Sequence, residues 1–217
     1  MGKEAVEFRG VDSLVYAEVV ADTAEEITFG EVKDLAPVAE IARTVSNDNA
    51  TKYYDNLPMI TIKAKGADEV TISSAVVDLP TVAEISGQDY DESLGMMLGG
   101  EPENKYFALG YRTKDTGGSH RYVWRLKGQF SEPDETSHTE DDSTDGNGQE
   151  LVYTGLSTVH KFAKDGKARK FIVVQDNGSV DLSTWFDEVQ TPDTVKAKVE
   201  SRSAAPKAEA RAKEGTK

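Results

Sequence analysis

The run RYVWRLK, residues 121–127, alternates with a period of two. Tyr122, Trp124 and Leu126 fall on one side, and Arg121, Val123, Arg125 and Lys127 on the other. A helix would spread these residues around its axis, whereas successive side chains of a strand point to opposite faces of a sheet. The run therefore predicts a β-strand, within Ser119–Phe130, that buries its aromatic face. Upstream, Lys105–Lys114 reads as a second strand, and the intervening DTGG is turn chemistry, so the two are expected to pair antiparallel.

The same pattern recurs along the chain. Leu14–Ala21, Thr28–Val32 and Leu35–Val45 read as strands, the last with Pro37 near its start, where a missing N–H is tolerated. Pro58–Lys65 sets Ile60, Ile62 and Ala64 on one face. Val70–Val77 repeats the alternation after KGADEV, so a hairpin is expected there. Glu150–Lys161 and Ala168–Asp176 are expected to form another pair around Asp165-Gly166. Pro80–Gly87 changes period, with proline in the first turn and glycine past the end, which predicts a short helix. Tyr90–Gly100 reads as a short helix or irregular turn, and Leu182–Val189 as a short C-terminal helix that docks Trp185 and Phe186. The expected fold is mainly β: an antiparallel β-sandwich or partly closed barrel with one short flanking helix.

Two polar stretches interrupt this pattern. Ser46–Leu57 carries the paired aromatics Tyr53 and Tyr54. Ser131–Gln149 holds seven acidic residues, no Lys or Arg and no apolar side chain, so it is expected to be a mobile loop. The expected organisation is a β-domain over 1–192 and a basic Ala/Lys/Glu-rich tail over 193–217. The tail carries seven Lys/Arg against four Asp/Glu. The body, 1–192, holds 18 basic and 35 acidic residues, net −17. Such a body repels phosphate and does not grip nucleic acid. Arg121, Arg125 and Lys127, on the face opposite the aromatics, are expected to pair with carboxylates of a neighbour or of the next subunit rather than with bases, since stacking platforms need aromatics and charges on one exposed face.

Little in the sequence points to catalysis, metals or membranes. There is no cysteine, no phosphate-binding glycine loop and no nucleophile elbow. His120, His138 and His160 lack ligand spacing. The DDSTDG run at 141–146 fails the calcium-loop pattern, with Ser143 in place of a ligand and Val152 in place of the bidentate glutamate. No apolar run approaches the ~18–20 residues of a membrane span, and the N-terminus has neither a secretory nor a myristoylation pattern. A non-enzymatic protein without cofactor or metal, made in a cytoplasm, is expected.

The segment FALGYRTKDTGGSHRYVWRLKGQFSEP, the acidic loop after it, then ELVYTGLSTV and WFDEVQTPD, resembles the major tail proteins of long-tailed, non-contractile bacteriophages of Gram-positive hosts. So does the upstream order: strand, the polar segment around KYYDN, hairpin, short helix. The resemblance spans about residues 1–192. It implies a tail-tube fold in which six copies form a ring with joined inner sheets. Rings stack around a tape-measure protein, with tail terminator and distal tail proteins at the ends, and DNA later passes through the lumen without specific binding. The location would be the virion tail, after assembly in the host cytoplasm. Ser46–Leu57 would be the loop that one ring projects onto the next, with Asn47, Asp48, Asn49, Lys52, Tyr53, Tyr54 and Asp55 making the inter-ring contact and the tyrosines as its anchors. Arg121, Arg125 and Lys127 would lie on the inter-subunit sheet face. The alternatives are a monomeric β-sandwich binding module for a cell-surface sugar or protein, and a small-ligand barrel.

Overall fold

A computed structural model describes residues 5–137, 139 and 147–198, with the backbone alone at 46–50, 53, 58 and 61–67. Strands β1 (Phe8–Asp22), β2 (Ile27–Phe29), β3 (Lys33–Asp34), β4 (Val38–Tyr54) and β5 (Leu57–Ser74) precede the helix α1 (Leu79–Ser86). There follow β6 (Asp89–Asp91), β7 (Met96–Leu98), β8 (Phe107–Asp115), β9 (His120–Phe130), β10 (Asp134–Glu135), β11 (Gln149–Gly155) and β12 (Phe171–Gln175). Among the described residues the fold is mainly β, antiparallel throughout, with one short helix. The main sheet runs β2-β1-β8-β9-β11-β5-β4. It curls until β1 and β4 touch, yet no ladder joins them, so it stays an open sheet rather than a barrel.

The middle strands are covered on both faces. In β1, Leu14 and Tyr16 enter one core and Val15 and Ala17 the other. The five residues FALGY of β8 are all buried. The first core lies within the curl, where Val70 and Ile72 of β5 meet Phe107 and Leu109 of β8 and Val82 and Ile85 of α1. Burying each such side chain is worth about 1.5–3 kcal/mol. The second core packs Trp124 and Leu126 against Phe162, Trp185 and Val189 of the C-terminal segment. The expected aromatic face of β9 is thus inside, with Trp124 donating its indole N–H to the Trp185 carbonyl at 2.9 Å.

Helix α1 is where its terminal signals put it. Pro80 sits in the first turn, and Gly87 closes the end at φ 69°. There a Cβ would meet the Glu103 carbonyl oxygen at 2.1 Å, so only glycine fits. The helix is tied to the sheet through Glu84, which accepts from the Tyr16 hydroxyl at 2.8 Å and from Lys33 Nζ at 2.7 Å.

Several expectations fail, each for a local reason. Pro58–Lys65 and Val70–Val77 are not the two arms of a hairpin. Both lie largely within β5, because KGADEV stays extended. The real reversal is Asp55-Asn56, at φ 50° and 61°, the mirror-image two-residue turn that Asp and Asn tolerate. Ser46–Leu57 is therefore not a loop but largely the distal part of β4, paired with β5 out to Tyr54–Leu57. Glu150–Lys161 and Ala168–Asp176 do not pair with each other. The long edge of β9 accommodates both: β12 takes Arg121–Arg125 and β11 takes Gly128–Phe130. Tyr90–Gly100 is built around the small hairpin β6–β7. Leu182–Val189 forms turns, not a helix. Asp181 accepts from the Ser183 N–H and hydroxyl, a local bond that competes with helix, but Trp185 docks as expected. The acidic stretch is anchored at both ends, since Asp134–Glu135 pairs with β11 and buried Gln149 accepts from the Val77 N–H at 2.7 Å. His138 and the 141–146 run lie outside the described residues, as does the tail from 199. Residues 193–198 belong to the domain: Val195 packs on the second core, and Val180 bridges Ala197.

Candidate functional site

The distal halves of β4 and β5 form a two-stranded arm. From Asn47 to Lys65 the two strands pair only with each other, whereas their proximal halves join the sheet through β11. Six of the seven residues expected at the self-assembly loop lie along β4 in this arm: Asn47, Asp48, Asn49, Lys52, Tyr53 and Tyr54. Asp55 is in its turn. At the tip, Tyr54 is 50% exposed, Leu57 62% and Met59 66%, and Ile60 is exposed as well. These apolar side chains extend the expected set, which lacked Leu57, Met59 and Ile60. Strand alternation had placed Ile60 on the face to be buried, but among the described residues no layer lies over it.

The root of the arm is clamped by charge. Asp68 of β5 is 2% exposed. It accepts from Arg43 of β4 (Nε to Oδ1, 2.8 Å; Nη2 to Oδ2, 3.1 Å) and from Arg125 of β9 (Nη1 to Oδ2, 2.8 Å). Burial pushes the Asp68 carboxyl up, but the hydrogen bonds from Arg43 and the charge of Arg125 outweigh it and hold it below the usual carboxylate range. The same hydrogen bond raises Arg43. Both Arg125 and Arg43 stack over the Phe171 ring, at 5.6 and 4.9 Å from its centroid. The Nε of Arg125 is buried and has no partner among the described residues.

This geometry corrects the outward placement of Arg125 and Lys127, whose carboxylate partners are neighbours within the chain, one of the two expected alternatives. Arg125 does not lie on an outer face. Its side chain is 3% exposed and its ion pair is within its own chain. Lys127 is 13% exposed and bonded to Asp22 at 2.8 Å. Asp22 also accepts from the backbone N–H groups of Val159 and His160. Burial raises that carboxyl too, but Lys127 and the two N–H donors bring it net downward. Arg121 lies over the Phe8 ring at 5.0 Å. Asp68 was missed because KGADEV reads as a turn. A continuous β5 register puts it on the same face as Val70 and Ile72, and a carboxylate in core register is the signal that it must have a cationic partner.

Beside the clamp a groove of about 790 Å³ opens between the start of β1, the root of β4 and strand β12. Its walls carry Val11, Ile41, Val123 and Val173 together with four arginines, Arg9, Arg43, Arg121 and Arg125, against one glutamate, Glu40. Among the described residues no group of three His, Asp or Glu side chains could hold a metal ion. No protein-family model matches this sequence, and no curated protein matches it closely enough to count as a relative.

Proposed function

We propose that this chain is a structural subunit that polymerises with its own copies, six to a ring and rings stacked, into the tail tube of a long-tailed, non-contractile bacteriophage. The observation that carries the proposal is the arm: a two-stranded projection whose tip exposes Tyr54, Leu57, Met59 and Ile60, with no cover among the described residues. Exposed strands and clustered apolar side chains are an aggregation hazard in a protein meant to stay alone. In a subunit that must find identical partners they are the contact. The net −17 body suits a bore through which duplex DNA slides, since basic linings would hold it. A tape-measure protein would occupy that bore during assembly, and tail terminator and distal tail proteins would close its ends.

The test is negative-stain microscopy of the purified chain after concentration. Hollow tubes or six-fold rings are expected. Lone particles at high concentration, even with a tape-measure protein supplied, would overturn the assignment in favour of a monomeric binding module. The variant Tyr53→Ser/Tyr54→Ser should remain a folded subunit by circular dichroism and fail to polymerise. Tubes of normal length from it would exclude the arm as the contact.

A further inference from the structure

We propose that the groove beside the Arg43–Asp68–Arg125 clamp is the seat for the arm tip of another copy, so that copies join tip to groove, head to tail. The inference rests on the self-assembly proposed above and adds where the arm lands.

The first argument is reach. Arg43 lines the groove and Tyr54 lies eleven residues further along the same strand. At ~3.3 Å per residue the tip is carried up to about 36 Å from its own groove. A paired ribbon reversing only at its tip cannot fold back that distance, so a tip seated in this groove would come from a second molecule.

The second argument is matching chemistry. The tip offers Tyr54, Leu57 and Met59 around one carboxylate, Asp55. The groove offers apolar walls at Ile41 and Val173 under an excess of arginine, in a chain whose body is otherwise strongly acidic. Arg43 and Arg125 share the single carboxylate of Asp68, so the clamp keeps one positive charge in excess. Among the described residues the buried Nε–H of Arg125 has no acceptor. Buried donors of this kind are rare in finished structures. A volume of about 790 Å³ falls within the ~300–1,000 Å³ of sites that enclose a few groups of a ligand.

The third argument is symmetry. Tip and groove are different surfaces, so their contact is heterologous. Repeated, it gives a ring or an open stack rather than a closed pair. The arm's length then sets an upper limit of about 36 Å on the offset between a groove and the one its own tip reaches.

The chain has no cysteine, so introduced pairs report cleanly. In the full chain, Leu57→Cys with Val173→Cys places one thiol on the exposed tip and one on the exposed groove wall. Oxidation should give a ladder of dimers, trimers and higher species on a non-reducing gel, while each single variant, whose one thiol faces no other thiol in a tip-to-groove contact, should stay monomeric. Met59→Cys with Val173→Cys serves as a second pair. Separately, Val173→Glu should leave a folded subunit that no longer assembles. Hollow tubes without a ladder from either pair, or full assembly of Val173→Glu, would overturn the docking while leaving the tube intact. A double variant that stops at a closed dimer would overturn the head-to-tail arrangement. A ladder without tubes or rings would support the docking and count against the tube.

Discussion

Removing a single carboxylate tests whether the arm is anchored by charge. In Asp68→Asn the side chain keeps its shape and loses its charge. The pair it forms with Arg125 is almost wholly out of water, with the two side chains 2% and 3% exposed. Deleting one member leaves the other as an uncompensated buried charge, which costs about 3–5 kcal/mol. The remaining neighbours of Arg125 are the Tyr111 hydroxyl at 3.4 Å and the Phe171 ring, and neither carries a neutralising charge. The Arg43 side chain is 40% exposed. Solvent screens its share, so Arg43→Gln should cost only about 0–1 kcal/mol. Against a total stability of ~5–15 kcal/mol, the loss at Asp68 is large. Urea unfolding of the subunit, followed by tryptophan fluorescence, measures it. Asp68→Asn and Arg125→Met should each be strongly destabilising, while the double variant should recover most of the loss, because removing both charges ends the desolvation cost. If Asp68→Asn stays within about 1 kcal/mol of the parent, or if the double variant loses the sum of the singles, the clamp is not electrostatic.

Two further outcomes follow from local geometry. The folded Asp22 carboxyl titrates below its unfolded value of about 3.9. Its contribution is therefore fully present above that value and is lost as pH falls through the folded one. The acid limb of a stability-against-pH curve should be shallower in Asp22→Asn than in the parent, and an unchanged limb would show that Lys127 and the Val159 and His160 N–H groups do not hold the charge. A Cβ at Gly110 would lie 2.8 Å from Val15 Cγ2 and 2.9 Å from the Trp124 ring, so Gly110→Ala should destabilise by about 1–3 kcal/mol in thermal unfolding through overpacking of the second core.

What was legible in the sequence was local. Strands β8 and β9 and helix α1 follow from alternation, DTGG and the Pro80/Gly87 punctuation, all of which act within a few residues. The single strand β5 was not legible, because Gly66 and Asp68 together resemble a turn. What keeps that stretch extended is remote: Arg43 and Arg125 reach Asp68 from 25 and 57 residues away. The pairing of β12 with β9 instead of β11 was hidden for the same reason, as it depends on how much edge β9 has to offer. Alternation gave the parity of Arg125 correctly and its exposure wrongly. It separates two faces but cannot say that the C-terminal segment covers one and the curl of the sheet encloses the other.

The arm was misread for a more instructive reason. Polar composition usually marks a loop, because a segment without apolar residues has no core to join. The distal arm is polar along most of its length and is nevertheless a strand, since the two strands stay paired with each other out to Tyr54–Leu57. A free two-stranded ribbon is marginal in water, and projecting edges are ordinarily guarded with charge or proline. Here the exposed side chains Tyr54, Leu57, Met59 and Ile60 gather toward the end of the arm, with Asp55 in its turn. The subunit gains nothing from leaving them in water. Burying them against another molecule would be worth about 25 cal/mol for each Å² covered. The same clamp that ties the root of the arm to the sheet forms one wall of the groove, so under the proposed docking one cluster of charges would serve both the arm of its own copy and the seat for another's tip.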